Sequence, residues 1–391
     1  MIINVIGLGK AGLPLAAVIA DADLTVNGID VDRKKVDMIN SGKNPIPEEP
    51  GLSEIIKRCS GKNLKAFEKI PESGKDCAYI VIVPLFISHE NVPDFSMLKS
   101  AFENVGKKLK KTDLVVLETT VPVKTTEVFV KNILEKESGL KAGSDFYLAY
   151  SPERIMTGYS ISRFREFPKI VGGIDKKSTE KAFEVYSKFT NPVKVSNSRT
   201  AELAKISEGV YRDVNIALAN ELLKVSESYG IDFWEMREAA RHQYCNILEP
   251  GNVGGHCIPV YPWFIINELK APLMKTAREL NDSMIEFYAD KLKKLKAKKV
   301  GIIGLSYREG VKEKAYSRSV DFINLLKKKG YEVYGLDPLY SKEETEKEFN
   351  VKFLEKIEGM DAVVLMNKEK KYDDILRKMK EKVIDIKNQL K

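Results

Sequence analysis

The chain has 391 residues, 43% of them hydrophobic and 31% charged, with a net charge of +8 spread along its length. That is the composition of an ordinary globular protein too long for one core, so two or three domains are expected. Four cysteines without CxxC spacing and only three histidines argue against a metal site or a disulfide framework.

No apolar run approaches the ~20 residues that span a bilayer, and the basic runs carry no interleaved aromatics of the kind that bind nucleic acid. Neither a membrane nor a nucleic acid is an expected partner. The chain enters a strand-like Ile2–Ile6 without a basic leader segment, and a cytoplasmic location is expected.

Residues 1–14 read strand, turn, helix, with Gly7, Gly9 and Gly12 as GxGxxG between Ile6 and an apolar helix. In that setting the glycines make the turn, admit a pyrophosphate to the backbone and let helix pack on strand. A second strand, 24–30, ends in Asp30, placed to accept the ribose hydroxyls of NAD and to repel the 2′-phosphate of NADP. NAD is the expected cofactor. Apolar runs at 78–83, 114–118, 146–150 and 169–173 predict further strands of a parallel sheet. Thr119, Thr120 and Glu153 fall just beyond such strands, where ligands bind in open α/β sheets.

From about Ser198 the texture becomes helical. Residues 199–229 are free of proline and carry Leu203, Ile206, Val210, Val214, Ala217, Leu218 and Leu222 at helical spacing, which predicts one long amphipathic helix. Lys205 lies one turn from Glu202 and Glu208, the pattern of an exposed ion pair. Two more helical segments are expected before Arg241, and helix resumes over 263–269 and 273–295. Between them lies Gly254-Gly255-His256-Cys257-Ile258-Pro259. Pro259 biases Ile258 toward an extended conformation, so the stretch describes a shaped loop presenting one thiol. Such a thiol is either a nucleophile, once ionised, or a buried structural cysteine. The last third repeats the strand-then-glycine theme at 299–305. Strands are expected at 331–337, 361–366 and 383–386, forming a second, smaller Rossmann-like unit without the full GxGxxG. The fold class is α/β: two Rossmann-like parallel-sheet domains, 1–197 and 297–391, joined by a central helical domain, 198–296.

The order of these motifs resembles the UDP-glucose/UDP-N-acetylmannosamine dehydrogenase family over nearly the whole chain. The matching stretches are GLGKAGLP (7–14), GIDVDRKKV (28–36), NPIPEEPGL (44–52), TTVPVKTTE (119–127), SPER (151–154), AELAKISEGVYRDVNIALANEL (201–222), GGHCIP (254–259) and ARELNDSM (277–284). GGHCIP, SPER and RDVNIALANEL look most like the branch acting on UDP-N-acetylhexosamines, especially UDP-N-acetylmannosamine. The resemblance implies two NAD-dependent oxidations of the sugar C6 alcohol to a carboxylate. Cys257 would carry a thiohemiacetal and then a thioester, Lys205 would face the developing oxyanion, Glu153 would handle the hydrolytic water, and Thr120 would help hold that water. It further implies that Lys10, Ala11, Lys35, Pro84, Thr119 and Thr120 join Gly7, Gly9, Gly12 and Asp30 around NAD. Glu153, Arg154, Lys205, Asn215, Gly254, Gly255 and Arg308 would contact the UDP-sugar. A homodimer through the central helices is implied as well.

Three positions depart from the family pattern. Gly209 stands where an asparagine helps hold the oxyanion, Tyr261 where GGHCIPVDP has its aspartate, and Ala315 where a substrate-binding arginine is usual. Arg318, Arg241 or Tyr261 itself are candidate substitutes. A UDP-glucose 6-dehydrogenase with a different C2 pocket, or a sugar-nucleotide/NAD-binding subunit without catalysis, are the competing readings. A two-electron dehydrogenase stopping at a ketone would have no use for the thiol.

Overall fold

The computed structural model describes residues 1–72, 74, 76–88, 90–155 and 158–390. They group into two compact units, Met1–Ser207 and Glu208–Lys391. Each is built on a sheet of apolar strands flanked by helices.

The first unit holds β1 (Ile2–Ile6), β2 (Thr25–Ile29), β3 (Leu64–Phe67), β4 (Ala78–Val81), β5 (Leu114–Leu117), β6 (Tyr147–Tyr150), β7 (Lys169–Gly173) and β8 (Pro192–Lys194). Their order across the sheet is β8-β7-β6-β5-β4-β1-β2-β3. The run β3-β2-β1-β4-β5-β6 is that of the doubly wound dinucleotide-binding fold, whose order reverses between β1 and β4. Alternate residues feed the two faces: Ile3, Val5, Ile80 and Val116 pack on one side, and Tyr79, Val81, Val115 and Leu117 on the other. β3 and β8, which the sequence does not announce, are short and carry lysines at exposed positions. The sheet is also not wholly parallel, because β7 runs antiparallel to β6, with Ala149 opposite Gly173 and Tyr150 opposite Gly172. Strand direction leaves no mark in an apolar run; the connection decides it.

The second unit starts within the long helix Ser198–Ser228. That helix closes where Ile231 N bonds Ser226 O at 2.8 Å and Gly230 adopts φ +68°. One short helix, Phe233–Ala239, follows in place of the two expected segments, begun by the Asp232 side chain accepting from Trp234 N and Glu235 N. After the cysteine loop come helices Trp263–Ile266 and Pro272–Lys294. The second sheet contains β9 (Lys299–Ile303), β10 (Glu332–Leu336), β11 (Lys352–Phe353), β12 (Ala362–Leu365) and β13 (Val383–Asp385). It is parallel throughout, in the order β11-β10-β9-β12-β13. The architecture is therefore α/β, with two Rossmann-like sheets and a central helical region. Among the described residues no helix is long and apolar enough to cross a membrane.

A buried polar network joins the two longest helices. Arg278 bonds Asp213, and Asn281 Nδ2 donates to Asp213 Oδ1 at 2.8 Å and Asp213 O at 2.9 Å. Asn220 Nδ2 donates to Asn281 Oδ1 at 2.9 Å and to Gly251 O at 3.1 Å, while its Oδ1 accepts from Gly251 N at 2.7 Å. Burial pushes the Asp213 carboxyl up to about 6, against the pull of Arg278.

Candidate functional site

In the first unit the sites expected from the sequence gather at the carboxyl ends of β1, β2, β4, β5 and β6. A Cβ on Gly12 would lie 1.8 Å from Gly7 O, so no other residue lets the helix approach the turn this closely. Nothing lies within 4 Å of the Cβ direction of Gly9. The helix Gly12–Asp21 starts without a side-chain cap at Ala11, and Lys10 is half-buried beside it. A turn bare of side chains at an uncapped helix start suits a pyrophosphate. Asp30 is fixed at the end of β2 by Leu8 N at 3.0 Å and Asp32 N at 2.9 Å, with Lys35 Nζ 3.4 Å away. These residues fit the pyrophosphate and ribose of NAD.

Thr119 Oγ1 donates to Val83 O at 2.6 Å, tying β5 to the exit of β4 next to the exposed Pro84. Thr120 is half-buried. Glu153 keeps its backbone on β5 through Glu118 O at 3.3 Å, and its carboxylate accepts from Ile155 N. Arg154 is turned to Pro168 O at 2.9 Å, a contact that braces the loop entering β7. Beneath Thr119 lies a cluster that the sequence did not single out. Glu118 and Lys169, both buried, pair at 2.7 Å, and the Tyr186 hydroxyl donates to the other Glu118 oxygen. Burial drives the Glu118 carboxyl upward, opposed by Lys169. An acid closing an apolar strand was the only available signal.

Lys205 is buried, at 8% exposure, and not the solvated partner that the helical spacing suggests. Glu202 turns to the 124–126 segment instead: its oxygens accept from Lys124 N at 2.6 Å, Thr126 N at 2.9 Å and Thr126 Oγ1 at 2.7 Å. Burial pushes its carboxyl up to about 7 despite these donors.

In the second unit Cys257 is exposed, which removes the reading of a buried structural cysteine. Gly255 N bonds Tyr316 O at 3.0 Å, and a Cβ on Gly254 would lie 2.8 Å from the same oxygen. The two glycines thus let the loop lie flat on residues 316–318. Beside it is a cavity of about 280 Å³ lined by Gly254, Asn252, Tyr307, Arg308, Arg318, Lys368 and Lys387 among others. Its four cations outnumber the two carboxylates, Glu249 and Glu309, so it favours an anion. Lys387 is a residue sequence reasoning missed, hidden in a lysine-rich tail; burial lowers its ammonium despite Glu249. Arg318 is held by Asp321 Oδ2 at 2.8 Å and Asp282 O at 3.0 Å, whereas Ala315 offers only its backbone N–H, to Glu313 at 3.0 Å. Asn215 donates to Tyr211 O at 2.7 Å within its own helix.

Residues 1–190 match the family model described as UDP-glucose/GDP-mannose dehydrogenase family, NAD binding domain; residues 199–283 match its central domain and 301–391 its UDP binding domain. A UDP-N-acetyl-D-mannosamine dehydrogenase of Methanocaldococcus jannaschii is 35% identical over 410 residues, covering 99% of this chain and 92% of the relative. One from Campylobacter jejuni is 38% identical over 335 residues, 82% of each chain. The solved UDP-D-ManNAc dehydrogenase of Pyrococcus horikoshii superposes with a TM-score of 0.89 at 30% identity, covering 100% of this chain and 96% of the other.

The Glu202 carboxyl supplies a pH test. The native group holds its proton to about pH 7, whereas the unfolded group releases it near 4.5. Between those values the native state binds the extra proton, so this group makes stability fall as pH rises. Urea midpoints measured from pH 4.5 to 7 should fall less steeply in Glu202→Gln than in the wild type; identical slopes would contradict the shift.

Proposed function

The chain belongs to the UDP-glucose/GDP-mannose dehydrogenase family, and from that premise we propose that it oxidises C6 of a UDP-N-acetylhexosamine, UDP-N-acetyl-D-mannosamine foremost, to the uronate. The observation that carries this is the exposed Cys257 thiol on a glycine-flattened loop whose Gly254 also lines a cationic cavity. A diphosphate bound there would lead its sugar toward the thiol. We assign the functional blocks as 1–197 for NAD, 198–296 for the cysteine loop and dimerisation, and 297–391 for the UDP-sugar, in an enzyme working in the cytoplasm.

Gly7, Gly9, Gly12 and Asp30 would hold NAD, which would supply the acceptor for one hydride from C6 in each of two rounds. Between the rounds Cys257, as thiolate, forms an S–C6 bond to the aldehyde carbon, and the carbonyl electron pair moves to oxygen. The positive charge of Lys205 opposes the charge growing on that oxygen. The second loss of hydride leaves a thioester. Water adds to it, its proton passing to Glu153 with Thr120 holding the water, and the S–C6 bond breaks to return the thiolate. In sum, alcohol, two NAD⁺ and water become carboxylate, two NADH and three protons. Arg308 and Lys387 hold the diphosphate, with Gly254 lining the same cavity and Gly255 next to it in the loop. Arg154 and Asn215 would contact the UDP-sugar as well, as the family resemblance implies.

The long helix supports a homodimer. Tyr211, Leu218 and Val225, seven residues apart, are exposed at 64%, 49% and 44% and form one apolar stripe. Leu218→Glu should convert a sedimenting dimer to a monomer, and a wild type that sediments as a monomer at all concentrations would remove this assignment.

Purified protein with NAD and UDP-N-acetyl-D-mannosamine should yield two NADH per sugar. Cys257→Ser should lower kcat by at least about 10³-fold and yield no more than one. Absence of NADH from every nucleotide sugar, with NAD and UDP still bound, would overturn the proposal in favour of a binding subunit.

A further inference from the structure

Two of the departures from the family pattern are in contact with one another. The Tyr261 ring lies on the long helix at Gly209, where a Cβ would sit 2.7 Å from Tyr261 Cδ2 and 3.3 Å from both its Cβ and Cγ. A glycine inside a helix of 31 residues normally weakens it by about 1 kcal/mol relative to alanine; here any side chain would displace the ring. Phe264 also neighbours the ring, 5.9 Å between centroids. Tyr261 N bonds Cys257 O at 2.9 Å, a single helical turn that brings side chains i and i+4 to one side. The outcome is a hydrogen bond from the Tyr261 hydroxyl to Cys257 Sγ at 3.1 Å. Tyr261 is only 7% exposed, while the cysteine it meets is an exposed residue. A buried, braced phenol therefore addresses a reactive atom.

We propose that Tyr261 is a catalytic residue that holds Cys257 Sγ in its ionised form by hydrogen bonding, and that Gly209 is the glycine that admits its ring. The inference rests on reading Cys257 as the nucleophile. A donor aimed at sulfur favours thiolate over thiol. The proton released goes to solvent, and the phenol keeps its own. The two substitutions thus compensate one another: space given up on the helix is filled by the residue that serves the thiol.

Titratable or charged groups of this unit around the thiol include His256 and Tyr307, with Glu313 facing His256 at 3.9 Å and Arg308 over the Tyr307 ring. Tyr261→Phe leaves all of them in place. The test is the pH profile of iodoacetamide alkylation, followed by mass spectrometry of the Cys257 peptide in the full-length protein, with Cys257→Ser as the blank. Tyr261→Phe should raise the midpoint by about one pH unit, a tenfold change in the ionisation constant. Gly209→Ala should raise it as well, and Gly209→Ala in the Tyr261→Phe background should raise it no further. An unmoved midpoint in Tyr261→Phe, with native circular dichroism, overturns the proposal. Alkylation requires no sugar, so a failure of turnover defeats the dehydrogenase reading separately. Turnover with an unmoved midpoint defeats the role of Tyr261 alone.

Discussion

The second unit depends on the buried contact between Asp213 and Arg278, which are 0% and 1% exposed. Two charges taken out of water need hydrogen-bond partners nearby to offset the lost hydration. Asn281 supplies one to Asp213, and with Asn220 it extends the network from helix to helix and on to both backbone groups of Gly251. Gly251 is where the cysteine loop leaves the helical region. The register of two helices thus fixes the root of the loop, and the Gly254–Gly255 contact with residues 316–318 fixes its far side. The thiol is presented by a scaffold and not by a free segment.

Much of this was legible in the sequence, for physical reasons that differ by residue. Gly7, Gly9, Gly12 and Asp30 announce their roles because turn, close approach and carboxylate are each demanded at a fixed offset from a strand. The apolar runs announce strands but neither their direction nor their short polar companions, so the antiparallel β7 and the strands at 64–67 and 192–194 emerge only from pairing. The polar letters of AELAKISEGVYRDVNIALANEL and ARELNDSM were visible as resemblance. What they do physically, in the case of Asp213, Asn220, Arg278 and Asn281, is hold each other.

The remaining misreadings share a cause: helical spacing identifies neighbours on one helix and is blind to what packs across from it. Lys205 looked solvated because Glu202 and Glu208 lie one turn away, yet it is buried and Glu202 serves a neighbouring turn. Gly209 and Tyr261 looked like two losses because they lie far apart in sequence, yet they form one contact. Lys387 carries no sequence pattern that marks it, yet it lines the cationic cavity.

The central claim is that oxidation passes through a sulfur–carbon bond on Cys257. It is met most directly by slowing the hydrolytic step with Glu153→Gln, supplying NAD and UDP-N-acetyl-D-mannosamine, quenching in acid and weighing the Cys257 peptide. The account predicts a peptide heavier by the UDP-linked uronyl group, with the added mass removed by hydroxylamine as a thioester requires. An unmodified Cys257 peptide in a protein that nevertheless releases two NADH per sugar would contradict it.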